Sequence, residues 1–188
     1  MKILNLHGYK GSAHNSVYQV LTQLGYEVIS PGVAYDNILP KQLLLNLSEL
    51  YDNNKCNAVV GTSAGGFFAA QLCVIKKCPT VFINPCLMPF VYLPRLGYEN
   101  RNGVIEFSEM FGNITKLNND LVSAIVGEDD EVIDTHDYTK TMFYNQRYFT
   151  VPNGKHSGFT LPLKEIFEQN RDRFFINTIN EQFFKSSS

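Results

Sequence analysis

The sequence has no tryptophan, only four cysteines, and no apolar run near the roughly 18 residues that a membrane span requires. Its most apolar region, 80–93, is interrupted by Asn84, Pro85 and Pro89. Cys56, Cys73, Cys78 and Cys86 form no C-x-x-C pair and no Cys/His cluster with zinc spacing, so they read as buried, reduced thiols. An excess of positive charge is also missing. Sixteen Lys and Arg against 18 Asp and Glu leave a net charge of −2 and a pI near 6.1. That balance lacks the basic footprint of a nucleic-acid binder and gives no attraction to an anionic membrane surface. The first eight residues pass straight into an apolar strand with no cleavage site of small residues, so no secretory leader is read there and a cytoplasmic protein is expected.

What remains is an ordinary globular composition, 44% hydrophobic over 188 residues, in which roughly 70% of the unfolded surface can be buried without a metal or disulfide staple. Short apolar runs alternate with longer amphipathic ones, the pattern of βαβ units in an α/β fold with a parallel sheet. Strands are expected at 2–6, 26–30, 58–61, 80–84, 121–126 and 147–151, rich in the Val, Ile, Leu and Phe that suit strands buried on both faces. Helices are expected at 15–24, 41–51, 64–76, 135–144 and 164–180, with Leu43, Leu44, Leu47 and Leu50 marking a buried stripe. No internal repeat or linker divides the chain, so residues 1–185 read as one domain and 186–188 as a frayed tail. Segment 85–119, punctuated by Pro94, Gly97, Gly103 and Gly112, reads as a long loop or partial lid.

The chemistry concentrates in three places. Gly61-Thr62-Ser63-Ala64-Gly65 follows an apolar strand and opens a helix, the G-x-S-x-G nucleophile elbow. Such a turn holds the Ser63 hydroxyl above the sheet, and the flanking glycines let neighbouring backbone approach. His156, just beyond the last strand, is the best placed of four histidines to act as its base. His14 and His136 read as solvated or locally bonded, and His7, at the end of the first strand, as a candidate pocket residue.

The segment Gly127-Glu128-Asp129-Asp130-Glu131-Val132-Ile133-Asp134 supplies five acids directly after the fifth strand. Asp130 is the expected triad acid, with Asp129 as the runner-up and Asp134 as an N-cap of the next helix. An oxyanion hole needs two backbone N–H groups, assigned to Tyr9 in the loop after the first strand and to Ala64 after the nucleophile. The loop Gly8-Tyr9-Lys10-Gly11 is neither G-x-G-x-x-G nor a P-loop, which argues against a dinucleotide site. Met88, Phe90 and Tyr92, with Phe107 and Phe111, either line an acyl or aromatic pocket or pack segment 85–119 onto the core.

These blocks, LHG at 6–8, GTSAGGFFA at 61–69, INPCLMPF at 83–90, GEDDEVID at 127–134 and NGKHSGF at 153–159, resemble the small YqiA-like esterases of the α/β-hydrolase superfamily. The resemblance implies a trimmed, three-layer hydrolase fold with six parallel strands and helices on both faces. It also implies carboxylesterase or acyl-thioesterase activity, with nucleophile, acid and base on Ser63, Asp130 and His156. The chain departs from the family in the stretch after Pro89 and in Ala64, where the family usually has Leu, so substrate preference does not carry over.

The expected function is therefore hydrolysis of a small-molecule ester through an acyl-enzyme on Ser63, with no metal or organic cofactor. Two rivals stand beside it. A coenzyme A thioesterase would need clustered basic residues for phosphates, and Lys10, Arg95 and Arg101 are scattered in sequence. A hydrolase scaffold could also serve as a non-catalytic binding protein.

Overall fold

The computed structural model describes residues 1–175. Six strands, β1 (Lys2–Leu6), β2 (Glu27–Ile29), β3 (Ala58–Thr62), β4 (Thr80–Ile83), β5 (Val122–Gly127) and β6 (Tyr148–Val151), form one sheet in the order β2-β1-β3-β4-β5-β6. Every neighbouring pair is parallel. The expected strands all occur, each boundary within one residue of its expected place. Eight helices pack around the sheet among the described residues: α1 (Ser16–Gln23), α2 (Pro40–Asn53), α3 (Ala64–Lys76), α4 (Pro89–Arg95), α5 (Arg101–Phe111), α6 (His136–Thr141), α7 (Leu163–Gln169) and α8 (Arg171–Phe175). The expected helix 164–180 is broken at Asn170 into α7 and α8. Its residues beyond 175, and the tail 186–188, lie outside the described residues.

The period-2 alternation of buried strands explains the three layers. Leu4, Leu6, Val59, Phe82, Val122, Ala124 and Val126 face one way, into a core shared with Leu43 and Leu47 of α2, Phe67 and Phe68 of α3, and Phe107 of α5. Ile3, Ala58, Val60, Val81, Ile83 and Ile125 face the other way, against Val17 and Leu21 of α1, Phe167 of α7, and Phe174 and Phe175 of α8. Helices thus cover both faces, and loops that follow the strands converge at one edge of the sheet.

Segment 85–119 is not the long loop that its prolines and glycines announce. It folds into α4, α5 and a 3-10 turn at Gly112–Lys116. The apparent loop punctuation mostly marks helix boundaries. Pro89 opens α4, where its missing N–H costs nothing. Gly97 takes φ +95° between α4 and α5, and Asn100 caps α5 by accepting the Gly103 N–H at 3.0 Å. Tyr92, Leu93, Phe107 and Met110 are buried in the core, which gives these two helices the tertiary support that short helices need.

The chain leaves β1 to form β2 on one side and then β3 on the other, so the sheet order reverses between β1 and β3. Their carboxyl ends diverge into a crevice at that switch point. Glycine is required beside it: a Cβ on Gly65 would lie 2.3 Å from the Leu6 carbonyl oxygen, and one on Gly61 would lie 2.5 Å from the Gly65 carbonyl oxygen. Both contacts are with backbone, which cannot rotate away. Gly65→Ala should therefore destabilise the protein by about 1–3 kcal/mol, read as a lowered denaturation midpoint at unchanged m-value.

Candidate active site

Ser63 occupies the turn between β3 and α3 with φ +51° and ψ −123°, a conformation that L residues rarely adopt. The turn is held from β4. The Ser63 N–H donates to the Ile83 carbonyl at 3.0 Å, and the Ser63 carbonyl accepts the Cys86 N–H at 3.0 Å and the Gly66 N–H at 2.8 Å. Its side chain is thereby lifted to the sheet edge, where His156 Nε2 lies 3.0 Å from Ser63 Oγ.

His156 Nδ1 lies 2.9 Å from each Asp130 carboxylate oxygen. Since the carboxylate accepts, Nδ1 carries the proton, and Nε2 presents its lone pair to the serine hydroxyl. The Asp130 carboxylate is almost wholly enclosed, at 1% exposure. It accepts further from the Val132 and Ile133 N–H groups at 2.9 and 3.0 Å. A second imidazole also reaches it: His136 Nε2, at 2.7 Å from Oδ2. Burial pushes the Asp130 pKa upward, but the hydrogen bonds from His136, His156 and the Ile133 amide, with the charge of His156, outweigh it and hold the carboxyl well below the usual range.

Of the neighbouring acids, Asp129 has an exposed side chain, and its backbone N–H is committed to the Gly154 carbonyl at 2.8 Å. Asp134 does not cap α6. The residue before that helix is Thr135, and the Asp134 carboxylate instead accepts the hydroxyl of Tyr92. His136 is bonded to an acid six residues earlier across the turn, a partner that helical periodicity does not indicate.

The loop after β1 closes on the serine. A Cβ on Gly8 would lie 2.8 Å from Ser63 Cβ, so only glycine fits there. Among the described residues no hydrogen bond takes up the N–H of Tyr9 or of Ala64. The Tyr9 phenol donates to Asp36 at 2.8 Å, and its pKa is pushed up to about 12 by desolvation and by that bond. His7 does not line a pocket. It is 2% exposed, its Nδ1 donates to the Gly8 carbonyl at 2.7 Å, and its Nε2 accepts the Val33 N–H at 2.9 Å, so both nitrogens brace the loop. Tyr92 and Phe107 belong to the core, whereas Met88, Phe90 and Phe111 are half-buried, the last two in an edge-on ring contact at 5.4 Å. All four cysteines are buried free thiols, and burial raises the Cys86 thiol to about 12.

Residues 2–169 match the model of an uncharacterised protein family, UPF0227. The chain belongs to UPF0227. No curated protein matches it. Solved structures place this UPF0227 member in the α/β-hydrolase fold. An α/β hydrolase from the metagenome of lagoon sediments at Mar Chica, Morocco, superposes with a TM-score of 0.65 at 16% identity, over 93% of this chain and 90% of that one. An esterase of Pyrococcus furiosus gives 0.58 at 18% identity over 92% and 80%. A structure from work on carboxylesterases of the ammonia-oxidizing thaumarchaeon Nitrososphaera gargenis gives 0.59 at 14% identity over 89% and 87%. At these identities the likeness is one of fold. No helix among the described residues is long and apolar enough to cross a membrane.

Two predictions follow from the local energetics of this UPF0227 site. Ser63→Gly and Ser63→Ala lose the same hydroxyl, but only alanine keeps a Cβ at φ +51°, so the glycine variant should be more stable by about 1 kcal/mol in denaturant titration. Asp130 has a folded-state pKa below its ordinary value of about 3.9, so its ionised form stabilises the fold above that pH and the contribution fades as pH falls towards the folded-state pKa. Asp130→Asn should melt below wild type at pH 7, with the gap narrowing below about pH 4, whereas Asp129→Asn should track wild type throughout.

Proposed function

We propose that the protein is a serine esterase that hydrolyses small-molecule carboxylic esters, or thioesters, through an acyl-enzyme on Ser63. The observation that carries this reading is the continuous hydrogen-bonded series from Ser63 Oγ through His156 to the buried Asp130 carboxylate, at the switch point of a hydrolase sheet. The named esterases that share the fold support the same class of reaction.

In this mechanism Ser63 Oγ attacks the carbonyl carbon while His156 Nε2 takes the hydroxyl proton. Asp130 holds the imidazole by Nδ1 and stabilises the positive charge that forms on it. The Tyr9 and Ala64 N–H groups donate to the developing oxyanion. Collapse of the tetrahedral intermediate breaks the bond to the alcohol or thiol, which leaves with the proton from His156. Water then attacks the acyl-enzyme, giving its proton to His156, and Ser63 recovers a proton as the acid departs. Every step uses groups of the chain itself and water.

Half-buried Met88 and Phe90, just beyond the Cys86 N–H that holds the serine turn, offer an apolar wall for the acyl group. Four buried free thiols suit the reducing cytoplasm. Basic residues do not favour coenzyme A as leaving group: Lys10 Nζ is bonded to the Leu96 carbonyl at 2.8 Å, and the Arg95 guanidinium lies 5.3 Å from the Tyr92 ring centre.

The test is hydrolysis of p-nitrophenyl esters from acetate to palmitate, with acyl-coenzyme A thioesters in parallel, by wild type and Ser63→Ala. Turnover should peak at one acyl length and fall about 10⁴- to 10⁶-fold in the variant, and Asp130→Asn should cost far more than Asp129→Asn. A fluorophosphonate probe should label wild type and not Ser63→Ala. Wild type that is neither labelled nor active on any of these substrates would instead be a binding scaffold.

A further inference from the structure

Asn84 is a buried polar residue to which the mechanism above gives no role. It follows β4, is 0% exposed, and has φ +42°. Its carboxamide is fully committed to other strands' loops. Nδ2 donates to the carbonyls of Lys155 and His156 at 2.8 and 2.9 Å, and Oδ1 accepts the Gly127 N–H at 2.8 Å. The partners' chemistry permits one orientation of the amide, because two acceptors face the nitrogen and one donor faces the oxygen. The Asn84 N–H also donates to the Ile125 carbonyl at 3.0 Å.

The neighbours of Asn84 complete the pattern. Ile83 and Cys86 hold the backbone of Ser63, while Asn84 holds the end of β5, from which the Asp130 loop departs, and the peptide of His156. The end of β4 and the residues just after it therefore hold the backbone of the serine turn, the peptide of His156, and the last residue of β5, from which the Asp130 loop departs. The His156 peptide is gripped from both ends, since its N–H donates to Glu131 at 3.1 Å and its carbonyl accepts from Asn84.

We infer that Asn84 is a positioning residue for the hydrolysis proposed above: it sets the base loop against the acid loop so that one imidazole meets Ser63 and Asp130 at once. The inference rests on that esterase reading. A carboxylate at position 84 would place negative oxygens against two carbonyls, and glycine would keep the positive φ while removing the clamp. In either variant the imidazole loses this fixed mount, and a misplacement of about 1 Å at the reacting atoms can cost on the order of 10² in rate.

The experiment compares Asn84→Gly and Asn84→Asp with wild type and with Gln71→Leu. Gln71 is as deeply buried and donates to the Met110 carbonyl at 3.0 Å, but it lies away from the triad loops. Circular dichroism checks folding at 25 °C, and kcat, KM and the rate of labelling by diisopropyl fluorophosphate are measured on a short p-nitrophenyl ester. Both Asn84 variants should fold and lose about 10- to 100-fold in kcat and in labelling rate, with KM within about threefold. Gln71→Leu should melt lower while keeping kcat within about twofold. Folded Asn84 variants with wild-type kcat overturn the inference, and so do variants that raise KM alone. Variants that no longer fold at 25 °C overturn it too, because Asn84 would then be a structural staple. Inactive, unlabelled wild type fails the esterase reading before any substitution is made, and the inference falls with it.

Discussion

The backbone turn at Ser63 is the constraint on which the site depends. A residue with a Cβ at φ +51° costs of order 1–3 kcal/mol, and it persists only where surrounding structure over-determines it. Here the over-determination comes from β4, whose last residue accepts the serine N–H and whose following segment donates to the serine carbonyl. The glycines at 61 and 65 let α3 and the end of β1 close on the turn, and Gly8 brings the first loop against the serine itself. Side-chain burial on both faces of the sheet supplies the stability that this strain draws on.

Electrostatics at Asp130 follow from the same geometry. A carboxylate at 1% exposure would carry a desolvation penalty of several kcal/mol if it were unpaired. Two backbone amides and two imidazoles donate to it instead, so the charge is retained beside His156. His136 contributes from the start of α6, and the Tyr148 hydroxyl donates to the His136 carbonyl at 3.2 Å, which ties that helix to β6. The acid is thus fixed by residues on both sides of the loop that carries it.

Much of this was legible along the chain, and the misreadings have definite causes. The strands stand out because each is buried on both faces, and the elbow stands out because its spacing answers a local steric demand. Segment 85–119 misled because Pro89, Gly97 and Gly112 signal a break in regular structure whether they start a helix, join two, or end one. His7 misled because a histidine beside a crevice reads as a pocket residue until both its nitrogens are seen to be occupied by backbone. His136 was readable as locally bonded but not as a partner of Asp130, and Asn84 gave no signal at all. An asparagine before a proline is ordinary turn chemistry, and nothing local indicates that its amide reaches residues 71 and 72 positions away.

By itself the sequence determined the elements and the positions of Ser63 and His156, since periodicity, turn strain and apolar content act over a few neighbouring residues. The tertiary structure decided which acid meets His156, which histidine braces a loop, and which hydrogen bonds tie the loops together. Those outcomes depend on the pairing of β5 with β6, which sets Gly127 opposite Val151 and turns Asp130 rather than Asp129 towards His156. Hydrogen-bond direction is fixed to within tenths of an ångström only after strands pair and loops fold over their ends, and no local pattern of residues carries that information.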